Sequence, residues 1–161
     1  MSDVIEALAH RLGRACHARR VQVATAESCT GGGVAEAITR VAGSSTWFER
    51  GFVTYSNRAK EELLGVLAET LRENGAVSGE VAAEMVAGAL ARSPADIAVA
   101  VTGIAGPGGG TSEKPVGLVW FAWMHRGGAA QCRRFVFDGG REAVRRQSVA
   151  VALQGLIDLV G

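Results

Sequence analysis

Residues 96–103, DIAVAVTG, constrain the fold more than any other part of the chain. The segment is short, β-branched at alternate positions and almost wholly apolar, so it reads as a strand with no face to spare for water. Such a strand is stable only when both faces of its sheet are covered, which puts it near the centre of a layered α/β structure. Residues 21–27, VQVATAE, have the same character, and FERGFVTYS at 48–56 reads as a further strand. Helical patterns separate these runs. Ile5, Leu8, Leu12 and Ala15 recur at helical spacing behind Ser2, a capping residue type, and VAEAITRVA follows residues 28–33. Asn57 is placed to cap a short helix holding Lys60, Leu63 and Leu64. Ser78 is placed to cap another with Val81, Met85, Val86, Ala89 and Leu90 on one face. VGLVWFAWM (116–124) and AQCRRFVFD (130–138) read as a hairpin about Arg126-Gly127-Gly128. A long helix from about Arg141 follows, with Val149, Leu153, Leu156 and Val160 at core spacing. The alternation with a late hairpin predicts an α/β fold, a three-layer α/β/α sandwich with a mixed β-sheet. No linker or shift in composition divides residues 1–161, so a single domain is expected.

Composition narrows the function. The 22 glycines are about twice ordinary usage and gather at 31–33, 103–110, 127–128 and 139–140 without a fixed period. They mark tight turns or places where backbone approaches a ligand. A formal net charge of +1, with no block of like charge, leaves no footprint for nucleic acid or an anionic membrane. Cys16, Cys29 and Cys132 have neither disulfide-framework nor CxxC spacing, and His10, His17 and His125 form no ligand cluster, so no metal site is expected. No long apolar run or signal-like N-terminus is present, and a reduced, cytoplasmic protein is the expectation.

Two glycine clusters follow strands, where ligands collect in open α/β sheets. Ser28 stands in the first. N–H groups of Thr30, Gly31 and Gly32 near its hydroxyl would stabilise negative charge on a carbonyl oxygen under attack. The plainer reading of such a serine is a helix cap, but Thr30 is the better placed cap and leaves Ser28 free. The segment lacks the G-x-S-x-G elbow, having Ala26 and Thr30 at the glycine places, and the histidines are poorly placed to take a proton. Lysine is the other usual acceptor. Lys and Arg number 17 together, of which only Lys60 and Lys114 are lysines. In a dry cleft Lys60 would shed its proton and act as a base, an option closed to arginine; beside Glu61 and Glu62 in water it would be an ordinary helix lysine. The 103–110 loop offers either an anion-binding nest suited to phosphate or a flexible surface loop, and it is not a Walker loop. Arg141 and Arg145, one turn apart, either clamp a phosphate or face water. Cys29 is a weaker nucleophile candidate than Ser28.

Taken in order, TAESCTGGGVAEAIT, GSSTWFERGFVTYSNRAKEELLGV, GAVSGEVAAEMVAGAL, VTGIAGPGGGTSEKPVGLVWFAW and GGREAVRRQSVAVAL resemble the C-terminal domain of the competence/damage-inducible protein CinA. The likeness runs from about residue 6 to residue 159. Stand-alone members of that family are nicotinamide-nucleotide amidohydrolases. The resemblance implies hydrolysis of the carboxamide of nicotinamide mononucleotide to nicotinic acid mononucleotide and ammonia, without metal or cofactor. It implies a Ser/Lys mechanism, with the nucleophile on Ser28 in AESCTGG and the base on Lys60 in YSNRAK. It also implies a pyridine-nucleotide site lined by Tyr55, Asn57, Thr102 and the loop with Gly103, Ala105, Gly106 and Gly108, and by Arg141, which Gly140 precedes in place of the family's usual Asp. Arg145 remains a second candidate for the phosphate. Rival readings are a non-catalytic nucleotide-binding module, and a protein-interaction role that the near-neutral charge does not support. Glycine loops and Trp47, Trp120 and Trp123 suggest a homo-oligomer.

Overall fold

A computed structural model describes residues 2–161, with side chains from Val4 onward. The expected Ser2 cap lies outside the described side chains. Helix α1 (Ser2–Arg19) precedes strand β1 (Val23–Glu27), α2 (Gly33–Thr39), a 3-10 turn (Ser44–Thr46) and β2 (Phe48–Val53). Helices α3 (Asn57–Leu64), α4 (Ala68–Asn74) and α5 (Gly79–Ala91) lead to β3 (Ile97–Gly103), β4 (Leu118–His125), β5 (Gln131–Val136) and α6 (Arg141–Val160). The strands form one mixed sheet in the order β2-β1-β3-β4-β5, parallel across β2-β1-β3 and antiparallel from β3 to β5. The fold is the expected α/β sandwich, with the 96–103 strand at its centre.

The alternation along β3 explains the layers. Ile97, Val99 and Val101 join Val23, Phe121 and Trp123 in a core with α1, α2 and α6. Each such side chain contributes about 1.5–3 kcal/mol when fully buried. Ala98 and Ala100 face the other way and meet Ala24, Ala26 and Ala122 under α5. This alanine floor lets α5 lie close to the sheet. Glycine lets α3 lie close to α5 in turn: a Cβ at Gly88 would sit 1.9 Å from the Leu64 carbonyl oxygen. Helix α3, which carries Lys60, is therefore seated by backbone contact at Gly88 as well as by its buried Leu64 side chain.

Several boundaries differ from expectation. Strand β2 stops at Val53, because the chain turns at Thr54 and Tyr55 to enter α3. Ser56, not Asn57, caps that helix, its Oγ accepting from the Ala59 amide at 3.0 Å. The Ser78 cap is present, accepting from Val81 N at 3.2 Å. On α1, Cys16 and Ala9 complete the buried face and Ala15 is half-buried. The 3-10 turn and α4 have no clear apolar period and were not anticipated. Trp47 and Trp123 are buried in the core and Trp120 is half-buried.

Candidate active site

The chain leaves β1 toward β2 on one side and returns to β3 on the other, so the carboxyl end of β1 is the switch point of the sheet. Ser28 sits there. Its amide donates to the Val101 carbonyl at 2.9 Å, pinning the nucleophile candidate to β3. The next residues form a tight turn in which Gly31 and Gly32 take φ of 59° and 100°, a left-handed conformation that costs about 1–2 kcal/mol for a residue with a Cβ.

Two ionic side chains hold this turn, the buried Glu27 and the half-buried Arg145. Glu27, wholly buried, accepts from Thr30 Oγ1 at 2.5 Å and from the amides of Val34 and Ala35 at 2.9 and 3.0 Å. It therefore satisfies the first amides of α2, the task expected of Thr30; Thr30 instead spends its hydroxyl on Glu27. Arg145 donates to the carbonyls of Cys29 and Thr30 at 3.1 and 3.2 Å. Of the three amides anticipated around Ser28, that of Gly31 is engaged by the Ser28 carbonyl at 3.0 Å. Among the described residues, the amides of Cys29, Thr30 and Gly32 have no acceptor.

Lys60 lies on the first turns of α3, and its side chain runs inward to the end of β1. It is 1% exposed. Its Nζ lies 2.9 Å from Ser28 Oγ, 2.8 Å from the Thr54 carbonyl and 3.2 Å from the Tyr55 carbonyl. No carboxylate bonds it. Burial lowers its pKa from the ordinary lysine value to about 8. The geometry suits both protonation states. An ammonium satisfies its three N–H groups on these three oxygens. A neutral amine keeps two donors for the carbonyls and aims its lone pair at the serine hydroxyl. Burial pushes the neighbouring Cys29 thiol up to about 12, so it stays a neutral thiol and a poor nucleophile at physiological pH.

Ser28 and Lys60 open into a cavity of about 200 Å³ that also touches Tyr55, Thr102, Gly103, Ala105 and Arg141. Thr102 Oγ1 donates to the Ala76 carbonyl at 2.9 Å. This bond draws Ala76 and Val77 over the cavity, and nothing in the sequence had marked those two residues. Arg141 bonds the Gly106 carbonyl at 2.8 Å and the Tyr55 hydroxyl at 3.0 Å, tying the glycine loop to the rim. Arg141 and Arg145 thus share a helix face but serve different partners. Asn57 and Gly108 are exposed and do not line the cavity. The amides of Ala105, Gly106, Gly108, Gly109 and Gly110 have no acceptor among the described residues. A larger groove of about 530 Å³ beside β5 and α6 is lined by no serine, cysteine or lysine. Among the described residues no three His, Cys, Asp or Glu side chains converge as a metal set, and no helix is long and apolar enough to cross a membrane.

The chain as a whole is similar to known proteins. The family model of the CinA C-terminal domain matches residues 5–160. The nicotinamide-nucleotide amidohydrolase PncC of Escherichia coli K12 is 58% identical over 149 residues, covering 92% of this chain and 90% of that protein. A protein of the same name from Pseudomonas putida is 57% identical over 157 residues, with 98% of each chain covered. The crystal structure of the competence/damage inducible protein CihA from Agrobacterium tumefaciens superposes with a TM-score of 0.96 at 51% identity, over 98% of this chain and 96% of that one.

Proposed function

This chain belongs to the CinA C-terminal domain family, and from that premise we propose that it is a nicotinamide-nucleotide amidohydrolase that deamidates nicotinamide mononucleotide with Ser28 as nucleophile and Lys60 as base. One observation carries the chemistry: a buried lysine amine 2.9 Å from a serine hydroxyl, with two backbone carbonyls orienting its remaining hydrogens. Neutral Lys60 takes the Ser28 proton as the oxygen attacks the amide carbon, and a C–O bond forms. Negative charge gathers on the carbonyl oxygen, for which the unengaged amides of the 29–32 turn are the nearest candidates for donors. The Lys60 ammonium returns its proton to the nitrogen, the C–N bond breaks and ammonia leaves. Water then cleaves the acyl-serine by the same route.

A cavity of about 200 Å³ is smaller than the ~300–1,000 Å³ of sites that enclose a drug-sized ligand. It suits the ring and its carboxamide. The ribose phosphate then lies along the rim, near Arg141 and the unengaged amides of the 103–110 loop, and Arg145, spent on the nucleophile turn, is not part of the phosphate site. A cytoplasmic setting, with all three cysteines unpaired, and self-association belong to the same proposal.

The test is ammonia release from nicotinamide mononucleotide by the purified protein. Ser28→Ala is expected to lower kcat on the order of a thousandfold or more. Lys60→Arg is expected to be as inactive as Lys60→Ala, because a guanidinium cannot accept the proton. Absence of turnover by folded wild-type protein, or full activity in Ser28→Ala, sinks the reading.

A further inference from the structure

The cavity shared by Ser28 and Lys60 holds no negative side chain to receive a cation. Besides those two residues its polar wall is Cys29, Tyr55, Thr102 and Arg141. The charged groups around Lys60 are accounted for on every side. Behind β1, both Glu27 oxygens are spent on Thr30 and the α2 amides. From α6, Arg145 is held by the Cys29 and Thr30 carbonyls, and Arg141 adds positive charge at the mouth. On α3 itself Glu61 and Glu62 are exposed, and Glu62 pairs with Arg58. On α5, Glu84 is engaged by Leu67 N and Thr70 Oγ1 and Glu80 is exposed. The three oxygens that touch Nζ are neutral.

A pyridinium ring carries its positive nitrogen two ring bonds from the carbon that bears the carboxamide. When the amide carbon reaches Ser28 Oγ, that charge lies close to Lys60 Nζ, with no carboxylate between them. We infer that the cationic ring drives the proton off Lys60 as it binds, so that the substrate's own charge switches on the base. At a separation of ~6 Å and an effective dielectric near 20, the repulsion lowers the proton affinity of the amine roughly tenfold to a hundredfold. The starting point is favourable, since burial already brings Lys60 to about 8 in the empty site. The inference rests on the pyridine-nucleotide reading above and deepens it: a charged ring activates the base, where a neutral ring of the same shape leaves its proton affinity unchanged.

Wild-type kinetics across pH test the coupling, because kcat/KM reports the free enzyme and kcat the bound complex. With oxidised nicotinamide mononucleotide, kcat/KM is expected to fall at least about tenfold from pH 8.5 to 6.5, while kcat falls less than about fivefold. With the reduced nucleotide, whose ring is neutral and whose phosphate is the same, the two quantities should fall together. As a second measurement, calorimetry on Ser28→Ala near pH 7 should find roughly 0.4–0.8 of a proton released when the oxidised nucleotide binds. Ribose 5-phosphate, which lacks the ring, should release none. Coincident limbs for the oxidised nucleotide with turnover intact, or equal proton release by both ligands, overturn the coupling alone. Absence of any turnover rejects the amidase reading instead.

Discussion

Two glycine-rich segments follow parallel strands of the sheet, residues 28–33 after β1 and 103–110 after β3. The first is held in place by side chains. Glu27 grips it from the α2 side and Arg145 from α6, with the Ser28 amide bound to β3. The second is fastened near its base, where Arg141 bonds the Gly106 carbonyl, and is exposed from Pro107 to Ser112. Glycine content is therefore not what decides how firmly a turn is held. The difference lies in which charged side chains the tertiary structure aims at each loop. The first loop holds the Ser28 backbone in place, as the proposed nucleophile requires. The second retains unengaged amides and room, as the proposed nucleotide rim requires.

Substitutions that loosen the first loop should therefore cost far more than those in the second. The largest effect is expected at Glu27. Glu27→Gln keeps at most one oxygen as acceptor and turns an amide nitrogen toward a buried donor. It should lose about 1–3 kcal/mol of stability in urea unfolding, and kcat should fall more than KM changes. A stability within experimental error of wild type would show that the carboxylate does not hold the turn. Gly31→Ala comes next. Its φ of 59° strains any other residue, and the new Cβ would meet Arg145 Nη2 at 3.1 Å. A loss of about 1–2 kcal/mol is expected, with weakened activity as Arg145 gives way. Gly108→Ala is the contrasting case in the second loop. Nothing lies within 4 Å of its Cβ and its φ is ordinary, so stability should stay within about 0.5 kcal/mol and turnover should be nearly unchanged. If Gly108→Ala proves as damaging as Gly31→Ala, the two loops do not differ in the way described.

Much of the fold was legible because it rests on local periodicity. The apolar run of β3, the hairpin of β4 and β5, and the apolar spacing of α5 and α6 each announce themselves within a few residues. What escaped was decided by partners distant in sequence or by a single residue of boundary. Helix α4 lacks an apolar stripe. The Ser56 cap differs from the expected Asn57 by one position. Glu27 was missed because its carboxylate caps α2 from inside the preceding strand, where no capping pattern looks for it. Arg141 and Arg145 do share one helix face, but the i,i+4 spacing could not tell that one reaches the Tyr55 rim and the other the turn behind Ser28.

The amino-acid sequence by itself determined most of the elements, the layering, and a serine at a strand-to-helix turn, since these follow from side-chain periodicity and short-range turn chemistry. Only the tertiary structure decided that Lys60, 32 positions from Ser28, ends 2.9 Å from its hydroxyl. That distance depends on α3 lying against Gly88 of α5 and on α5 lying on a floor of alanines. The chemistry of the lysine is equally non-local: burial among residues distant in the chain lowers its pKa, and no neighbouring residue in the chain can impose that.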